Sequence, residues 1–370
     1  MKRVGLLLIW LLQLMSIAGF GQNKDLYLFI GTYTSKTSEG IYVYKFNTQT
    51  GDFSPVSIAK GIKNPSFLAL SPDNRYLYSV AEMSGGAVSA FAFDKQSGNL
   101  TMLNTQSAGG NGPCHVAVDK TGKWVMVGNY GGGSLSILPV QADGSLGAAT
   151  QTIQHEGKSV NTARQEKPHV HSINIAPNNK DVFVPDLGTD KIMTYTLDTK
   201  AGKLLPGNPP FTSTTPGAGP RHFTFHPNGK WAYVINELDA TMTGFQYKSG
   251  KLEPYQTVST LPADYTGQKW CADIHISPDG KFLYGSNRAH ESLVIFSIHP
   301  KTGELIYVGH QNVLGKTPRN FMIDPTGKWV LVANQDSDNV VIFSRDMKTG
   351  QLTPTGKEIK VSMPVCLKTL

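Results

Sequence analysis

The residues with the greatest chemical potential in this chain are arginines, histidines and acids at equivalent points of a sequence repeat. Each copy contains a short turn phrase, and the second residue of the phrase serves as a reference position. Charged or titratable side chains that differ from copy to copy stand five or six residues before this position, or nine or ten after it. They are Arg221, Arg288, Arg319, His115, His171, His222, Glu237 and Asp273, with His275 two residues beyond Asp273.

These side-chain types suit chemistry on an anionic carbonyl compound. Guanidinium groups bind carboxylates and phosphates through paired hydrogen bonds, so three arginines predict an anionic ligand. Glu237 and His171 supply a proton acceptor and a proton donor for a reaction at a carbonyl or a lactone. The chain shows no serine nucleophile elbow and no zinc-type spacing of histidine and glutamate. The sequence therefore favours water-mediated or proton-transfer chemistry over covalent catalysis.

Each of these residues also has a structural interpretation, which the sequence leaves open. Arg221, Arg288 and Glu237 could form a ring of ion pairs, and His171 could be a core histidine bonded to a neighbour. Tyr130 precedes three glycines and is interpreted as part of a flexible turn. The asparagines that recur nine residues after the reference position, Asn129, Asn236, Asn287 and Asn334, are interpreted as turn formers.

The repeat predicts the elements that position these side chains. Its phrase begins at Ser71, Asp119, Ala176, His226, Ser277 and Asp324, which gives a period of about 50 residues. An apolar pair with period-2 spacing precedes each phrase, and two further apolar stretches follow it, as in a propeller blade of short strands. Because the first two strands of a blade are antiparallel, the start of one and the end of the other lie on the same face. The candidate residues should therefore meet at one mouth of a central channel.

Six phrases predict seven blades once the chain ends are included. Residues 26–58 contain a second, a third and a fourth strand with no phrase before them, whereas residues 364–367 resemble an inner strand with nothing after it. Pairing these two segments completes one more blade and removes exposed sheet edges. The sequence thus predicts an all-β, seven-bladed β-propeller whose ring closes through N- and C-terminal strands sharing one blade.

The N-terminal segment predicts a domain outside the cytoplasm. Lys2 and Arg3 precede an apolar run at residues 4–17 and several small residues, the pattern of a signal peptide at residues 1–21. The run is too short to span a membrane comfortably, so residues 22–370 are predicted to form a single periplasmic or secreted domain without a membrane span.

The net charge of +7 is scattered rather than striped, which argues against nucleic-acid binding. Three cysteines at no metal-ligand spacing are interpreted as buried thiols.

Several motifs resemble those of the propeller-type 6-phosphogluconolactonases and carboxymuconate-lactonising enzymes. The segments are GAGPRH at 217–222, VINE at 234–237, WCADIH at 270–275, SNR at 286–288 and TPR at 317–319. The resemblance covers about residues 25–368 and implies a seven-bladed propeller with lactone chemistry at the channel mouth. Carried over motif by motif, the family's catalytic set falls on His171, Arg221, Glu237 and Arg288. A signal peptide departs from a cytoplasmic phosphogluconolactonase, which makes an unphosphorylated sugar lactone a competing substrate.

The resulting hypothesis is a lactonase that hydrolyses an anionic sugar lactone, nominally 6-phosphogluconolactone, to the sugar acid. Glu237 or His171 would activate water, and Arg221 and Arg288 would hold the anion. Binding of the substrate is assigned to His115, His222, Asp273, His275 and Arg319. No metal or other cofactor is expected, and the protein should be a monomer or a weak dimer. The alternatives are a non-catalytic propeller that binds carbohydrate or protein, and a carboxymuconate-type lactonising isomerase.

Overall fold

The computed structural model describes residues 25–370, and every regular element in that range is a β-strand. The predicted signal peptide at residues 1–21 lies outside the described residues. The strands are β1 (Asp25–Thr32), β2 (Gly40–Asn47), β3 (Phe53–Lys60), β4 (Leu68–Leu70), β5 (Tyr76–Ala81), β6 (Ala87–Phe93), β7 (Leu100–Ser107), β8 (Pro113–Val118), β9 (Trp124–Asn129), β10 (Ser134–Pro139), β11 (Gln151–Gln154), β12 (Asn174–Ile175), β13 (Asp181–Asp186), β14 (Lys191–Asp198), β15 (Lys203–Ser213), β16 (Pro220–Phe225), β17 (Trp231–Asn236), β18 (Thr241–Lys248), β19 (Lys251–Ser259), β20 (Cys271–Ile276), β21 (Phe282–Asn287), β22 (Ser292–Ile298), β23 (Leu305–Asn312), β24 (Pro318–Ile323), β25 (Trp329–Asn334), β26 (Asn339–Arg345), β27 (Leu352–Lys360) and β28 (Pro364–Thr369).

These strands form seven four-stranded antiparallel sheets, the blades of a β-propeller, within residues 25–370. Blade 1 has the strand order β28-β1-β2-β3, and blades 2 to 7 each use four consecutive strands, from β4–β7 to β24–β27. The C-terminal strand β28 pairs antiparallel with β1, with Ile30 opposite Leu367. Both the seven blades and the closure by the chain ends are therefore confirmed.

The core lies between neighbouring blades, because each sheet buries both of its faces. One apolar cluster joins Tyr284 and Ile295 of blade 6 to Val332 and Phe343 of blade 7. The turn phrases add contacts between blades. In blade 3, the Trp124 indole packs so closely on Gly202 of blade 4 that a Cβ there would lie 2.0 Å from the ring, so only glycine fits.

A β-bulge at the start of several inner strands matters most for function. The inner strand and its partner lose register by one residue at Cys114 in β8, at Arg221 in β16 and at Arg319 in β24. A bulged residue has no direct partner across the ladder, and its side chain is re-aimed relative to regular pleating. In blades 3, 5 and 7 the bulge therefore falls at the same position of the inner strand.

Candidate active site

Two adjacent positions of the inner strands produce two sets of side chains around the channel. The site ring comprises the residues six before each reference position and their blade 1 equivalent: Ser66, Cys114, His171, Arg221, Ala272, Arg319 and Val365. The belt comprises the residues that follow them: Phe67, His115, Ser172, His222, Asp273, Asn320 and Cys366. Successive side chains of a strand point to opposite sides, so neighbouring members of the two sets face different surroundings.

A cavity of about 230 Å³ opens beside the site ring. Its lining residues are Glu82, Cys114, Tyr130, Arg164, His171, Glu237, Trp270, Arg288 and Arg319. Three of them belong to the site ring, and four stand ten residues after a reference position, at the end of a second strand. The sequence repeat thus accounts for most of the lining, and only Arg164 and Trp270 come from outside the repeated positions.

Glu237 organises the cationic wall of the cavity. Its Oε2 accepts from Arg221 Nε at 2.9 Å and lies 2.7 Å from Arg288 Nη2. Its Oε1 accepts from Arg164 Nη2 at 2.6 Å and from Trp270 Nε1 at 3.3 Å. Burial opposes ionisation, yet the charges of Arg288, Arg221 and Arg164 hold the pKa of Glu237 well below its ordinary value. Glu237 is therefore a permanent carboxylate whose lone pairs are occupied, which makes it a poor proton acceptor.

Arg319 also lines the cavity, but its guanidinium differs from those of the other arginines in its bonding. Its guanidinium lies over the Tyr33 ring, 5.3 Å from the centroid, and makes no hydrogen bond or ion pair within residues 25–370. By contrast, Arg288 is held by Glu237, by the carbonyl oxygen of Cys271 and by the face of Trp270 at 3.8 Å. An arginine with unused donors in a concave site is a ready anion-binding group.

His171 supplies a neutral imidazole to the same cavity. Burial and the positive charge of Arg221 are the main causes that lower its pKa well below the usual value. Its Nδ1 lies 3.9 Å from the Cys114 thiol, and its Nε2 makes no hydrogen bond within the described residues. The ring packs edge-on against Tyr130, with centroids 5.3 Å apart. The imidazole of His171 is therefore neutral, and its Nε2 can accept a hydrogen bond from a water or a ligand.

The belt has a different character, because its members bond to the next blade. Going round the channel, the contacts are Phe67 on the His115 ring (4.2 Å), Ile173 N to His115 Nδ1 (3.3 Å), Ser172 Oγ to the Arg221 oxygen (2.8 Å), His222 Nδ1 to Asp273 Oδ1 (2.7 Å), Asn320 Nδ2 to Asp273 Oδ2, Leu367 N to Asn320 Oδ1 (2.7 Å) and Leu68 N to Cys366 Sγ (3.4 Å). Together they cross every junction between neighbouring blades.

Asp273 is the most heavily bonded member of the belt. Besides His222 and Asn320, its carboxylate accepts from Ile274 N at 3.0 Å, Phe321 N at 3.3 Å and His275 Nε2 at 2.9 Å. Burial, together with the charge of Arg221, lowers the pKa of His222 to about 4, so its imidazole is neutral. The structure thus places His115, His222, Asp273 and His275 outside the lining of the cavity. Of the five residues assigned to substrate binding, only Arg319 lines it.

Five lining residues were not predicted as site residues: Glu82, Cys114, Tyr130, Arg164 and Trp270. Cys114 was interpreted only as a buried thiol. Glu82 and Tyr130 occupy the repeat position of Glu237 and Arg288, so the alignment of the copies could have selected them. Trp270 lies within the motif at 270–275. Arg164 comes from the segment between β11 and β12, which has no counterpart in the other copies, and only the structure reveals its contact with Glu237.

Other features of residues 25–370 bear on cofactors and on the cysteines. No group of three or more His, Cys, Asp or Glu side chains in this range could hold a metal ion. All three cysteines are buried and unpaired, as predicted, and burial raises the pKa of the Cys114 thiol to about 12. The described chain includes no helix long and apolar enough to cross a membrane.

Known proteins share this architecture over almost the whole chain. The family profile "Lactonase, 7-bladed beta-propeller" matches residues 27–369. A 6-phosphogluconolactonase of Bacillus subtilis is 39% identical over 92% of this chain and 97% of its own length. A 6-phosphogluconolactonase of Formosa agariphila is 40% identical over 80% of this chain and 86% of its own length.

A solved structure gives the same result in three dimensions. The periplasmic gluconolactonase of Pseudomonas aeruginosa superposes with a TM-score of 0.89 at 34% identity, covering 94% of this chain and 99% of that protein. The profile match over residues 27–369 agrees with the blade count. The chain therefore belongs to the lactonase family of seven-bladed β-propellers, and it is a carboxylic-ester hydrolase of the lactonase type.

Proposed function

We propose that the protein hydrolyses the lactone of a sugar acid, nominally 6-phosphogluconolactone, to the open-chain acid. The supporting observation is the pairing, in one cavity, of a neutral His171 with a free Nε2 and an Arg319 guanidinium with no partner among the described residues. A lactonase needs both groups, because water must be deprotonated while negative charge develops on the carbonyl oxygen.

In this mechanism His171 is the base. It accepts a proton from the water that attacks the lactone carbonyl, and it returns the proton to the ring oxygen when the C–O bond breaks. Glu237 is assigned a positioning role instead, because both of its oxygens are already bonded to arginine. Arg288 and Arg319 bind the anion and the developing oxyanion, whereas Arg221 is outside the cavity lining and holds Glu237 through its Nε.

The phosphate group on the substrate is a separate question, with two supported answers. The relatives of Bacillus subtilis and Formosa agariphila carry the name 6-phosphogluconolactonase, whereas the Pseudomonas aeruginosa relative is named a periplasmic gluconolactonase. The signal peptide proposed for residues 1–21 would deliver a single domain of residues 22–370 to the periplasm. Plain gluconolactone is therefore the second candidate substrate.

Initial-rate assays of the mature protein on both lactones test the proposal. We expect turnover above spontaneous hydrolysis on at least one of them, and we expect it to disappear in the His171→Gln variant. The ratio of kcat/KM for the two lactones identifies the preferred substrate. Rates equal to spontaneous hydrolysis on both lactones would reject the proposed function.

A further inference from the structure

The cavity contains a second carboxylate, and its surroundings differ from those of Glu237. Glu82 follows strand β5 and lines the cavity. Its Oε2 accepts hydrogen bonds from the Ser66 hydroxyl and from the Tyr33 hydroxyl, the latter at 2.9 Å. Its Oε1 makes no hydrogen bond within residues 25–370. Two donors thus fix the orientation of the carboxylate and leave one oxygen available.

Tyr33 connects this carboxylate to the anion-binding side of the cavity. Its ring lies beneath the Arg319 guanidinium, and its hydroxyl donates to Glu82. The Tyr33 hydroxyl stays protonated, because burial raises its pKa well above the ordinary value of tyrosine. Tyr33 therefore contacts both groups, an acceptor (Glu82) through its hydroxyl and a donor (Arg319) through its ring.

The remaining polar lining is dominated by donors. Arg164, Arg288, Arg319 and the Trp270 indole can only donate hydrogen bonds, and both oxygens of Glu237 are occupied. A ligand that carries hydroxyl groups has donors to place, and a buried donor left without an acceptor costs about 1–3 kcal/mol. An anionic ligand without hydroxyls has nothing to offer Glu82 and is repelled by it.

We propose that Glu82 is the specificity-determining residue that selects hydroxylated substrates, accepting a hydrogen bond from a sugar hydroxyl through Oε1. The inference rests on the proposed lactonase function and assigns its substrate class. That class is polyhydroxylated lactones and acids rather than the unsaturated polycarboxylates of a lactonising isomerase. Tyr33 and Ser66 are positioning residues that orient the carboxylate.

Calorimetric binding of two product-like acids tests this assignment. Gluconate and hexanoate have the same length and charge, but only gluconate carries hydroxyls. We expect wild-type protein to prefer gluconate, and Glu82→Gln to weaken gluconate binding by about tenfold while hexanoate binding stays the same or improves. Tyr33→Phe, which retains the ring, should shift the preference in the same direction by a smaller factor. Glu253→Gln, at an exposed glutamate of β19, is the matched control.

The outcomes separate this inference from the lactonase proposal. Equal weakening of both acids by Glu82→Gln would make Glu82 structural and overturn the assignment. The absence of a wild-type preference for gluconate, or an unchanged preference in the variant, would overturn it as well. Selective gluconate binding in a protein that hydrolyses neither lactone would leave Glu82 as a hydroxyl-binding residue and remove the proposed reaction.

Discussion

The site ring and the belt are neighbours in sequence, yet they differ in their hydrogen bonds and in their access to the cavity. Arg319 of the site ring has unused donors and faces a cavity, whereas Asn320 bonds to Asp273 and to the backbone of Leu367. The His171 Nδ1 lies 3.9 Å from the Cys114 thiol, whereas the His222 Nδ1 is bonded to Asp273 Oδ1 at 2.7 Å. A polar side chain around a propeller channel is therefore not a functional residue by position alone, and its hydrogen-bond partners decide which task it performs.

Replacing His171 should have the largest effect, and that effect should be confined to activity. The His171→Gln variant removes the proposed base, so we expect turnover to fall by about 10²–10⁴-fold. Its stability should change little, because the only hydrogen-bonding contact of the His171 side chain within residues 25–370 is the 3.9 Å one to the Cys114 thiol. Steady-state kinetics and urea unfolding of the same preparation check both parts. A variant that unfolds but keeps its turnover per folded molecule would show that His171 has a structural role, like the belt residues.

Replacing Asp273 should lower the stability of the protein and leave its activity nearly unchanged. Asp273→Asn replaces the carboxylate that accepts hydrogen bonds from His222, His275 and Asn320. Disruption of such a buried network lowers the free energy of unfolding by about 3 kcal/mol. The turnover per folded molecule should stay close to that of wild type. Asp264→Asn, at an exposed loop residue, is the matched control in urea unfolding. An inactive but fully stable Asp273→Asn protein would place Asp273 in the site.

Acidification should weaken the fold through the buried histidines. Folded His115 and His171 have strongly lowered pKa values, and that of His222 is about 4, whereas unfolded histidines titrate near 6.5. The unfolded state therefore binds more protons below pH 6.5, and the free energy of unfolding falls as the pH drops from 6.5 toward 4. His222 contributes up to about 3 kcal/mol of this loss.

Urea midpoints at pH 7.5, 6.0 and 4.5 measure this dependence. The His222→Asn variant keeps a donor toward Asp273 but cannot titrate, so its stability should fall less steeply with acid than that of wild type. Identical slopes in the two proteins would show that His222 does not carry the effect.

Replacing Arg164 should have the smallest effect. Its side chain is 38% exposed, and it approaches the cavity from the segment between β11 and β12. The Arg164→Gln variant keeps a hydrogen-bond donor toward Glu237 and should raise KM for an anionic lactone about three- to tenfold, with turnover and stability nearly unchanged. A large loss of turnover at constant KM would instead assign Arg164 to stabilisation of the transition state.

The sequence predicted the fold well because a propeller is periodic. The spacing of the turn phrases gave the blades, and the unmatched segments at the two chain ends gave the closure that β28 and β1 make. Antiparallel pairing within a blade also brought Arg221 next to Glu237, as the repeat implies. These inferences need only the order of the strands and their direction.

The direction of individual side chains could not be predicted in the same way. The repeat marks two adjacent positions at the start of each inner strand, but it does not indicate which of the two faces the cavity. In β8 and β24 the first of them, Cys114 or Arg319, is a bulged residue and lines the cavity. For this reason His115, His222 and Asp273 were assigned to the substrate, although the structure bonds them to neighbouring blades. Arg164 lies in a segment unique to one copy, where a comparison of repeats has no information.

The most direct test of the separate roles compares the two neighbours Arg319 and Asn320 of strand β24. The measurement is kcat/KM for gluconolactone together with the urea midpoint, on the same preparations of Arg319→Gln and Asn320→Ala. We predict that Arg319→Gln lowers kcat/KM by at least about 100-fold without loss of stability. Asn320→Ala should lose about 1–3 kcal/mol of stability and keep its activity per folded molecule. Parallel losses of activity and stability in both variants would contradict the division between site ring and belt.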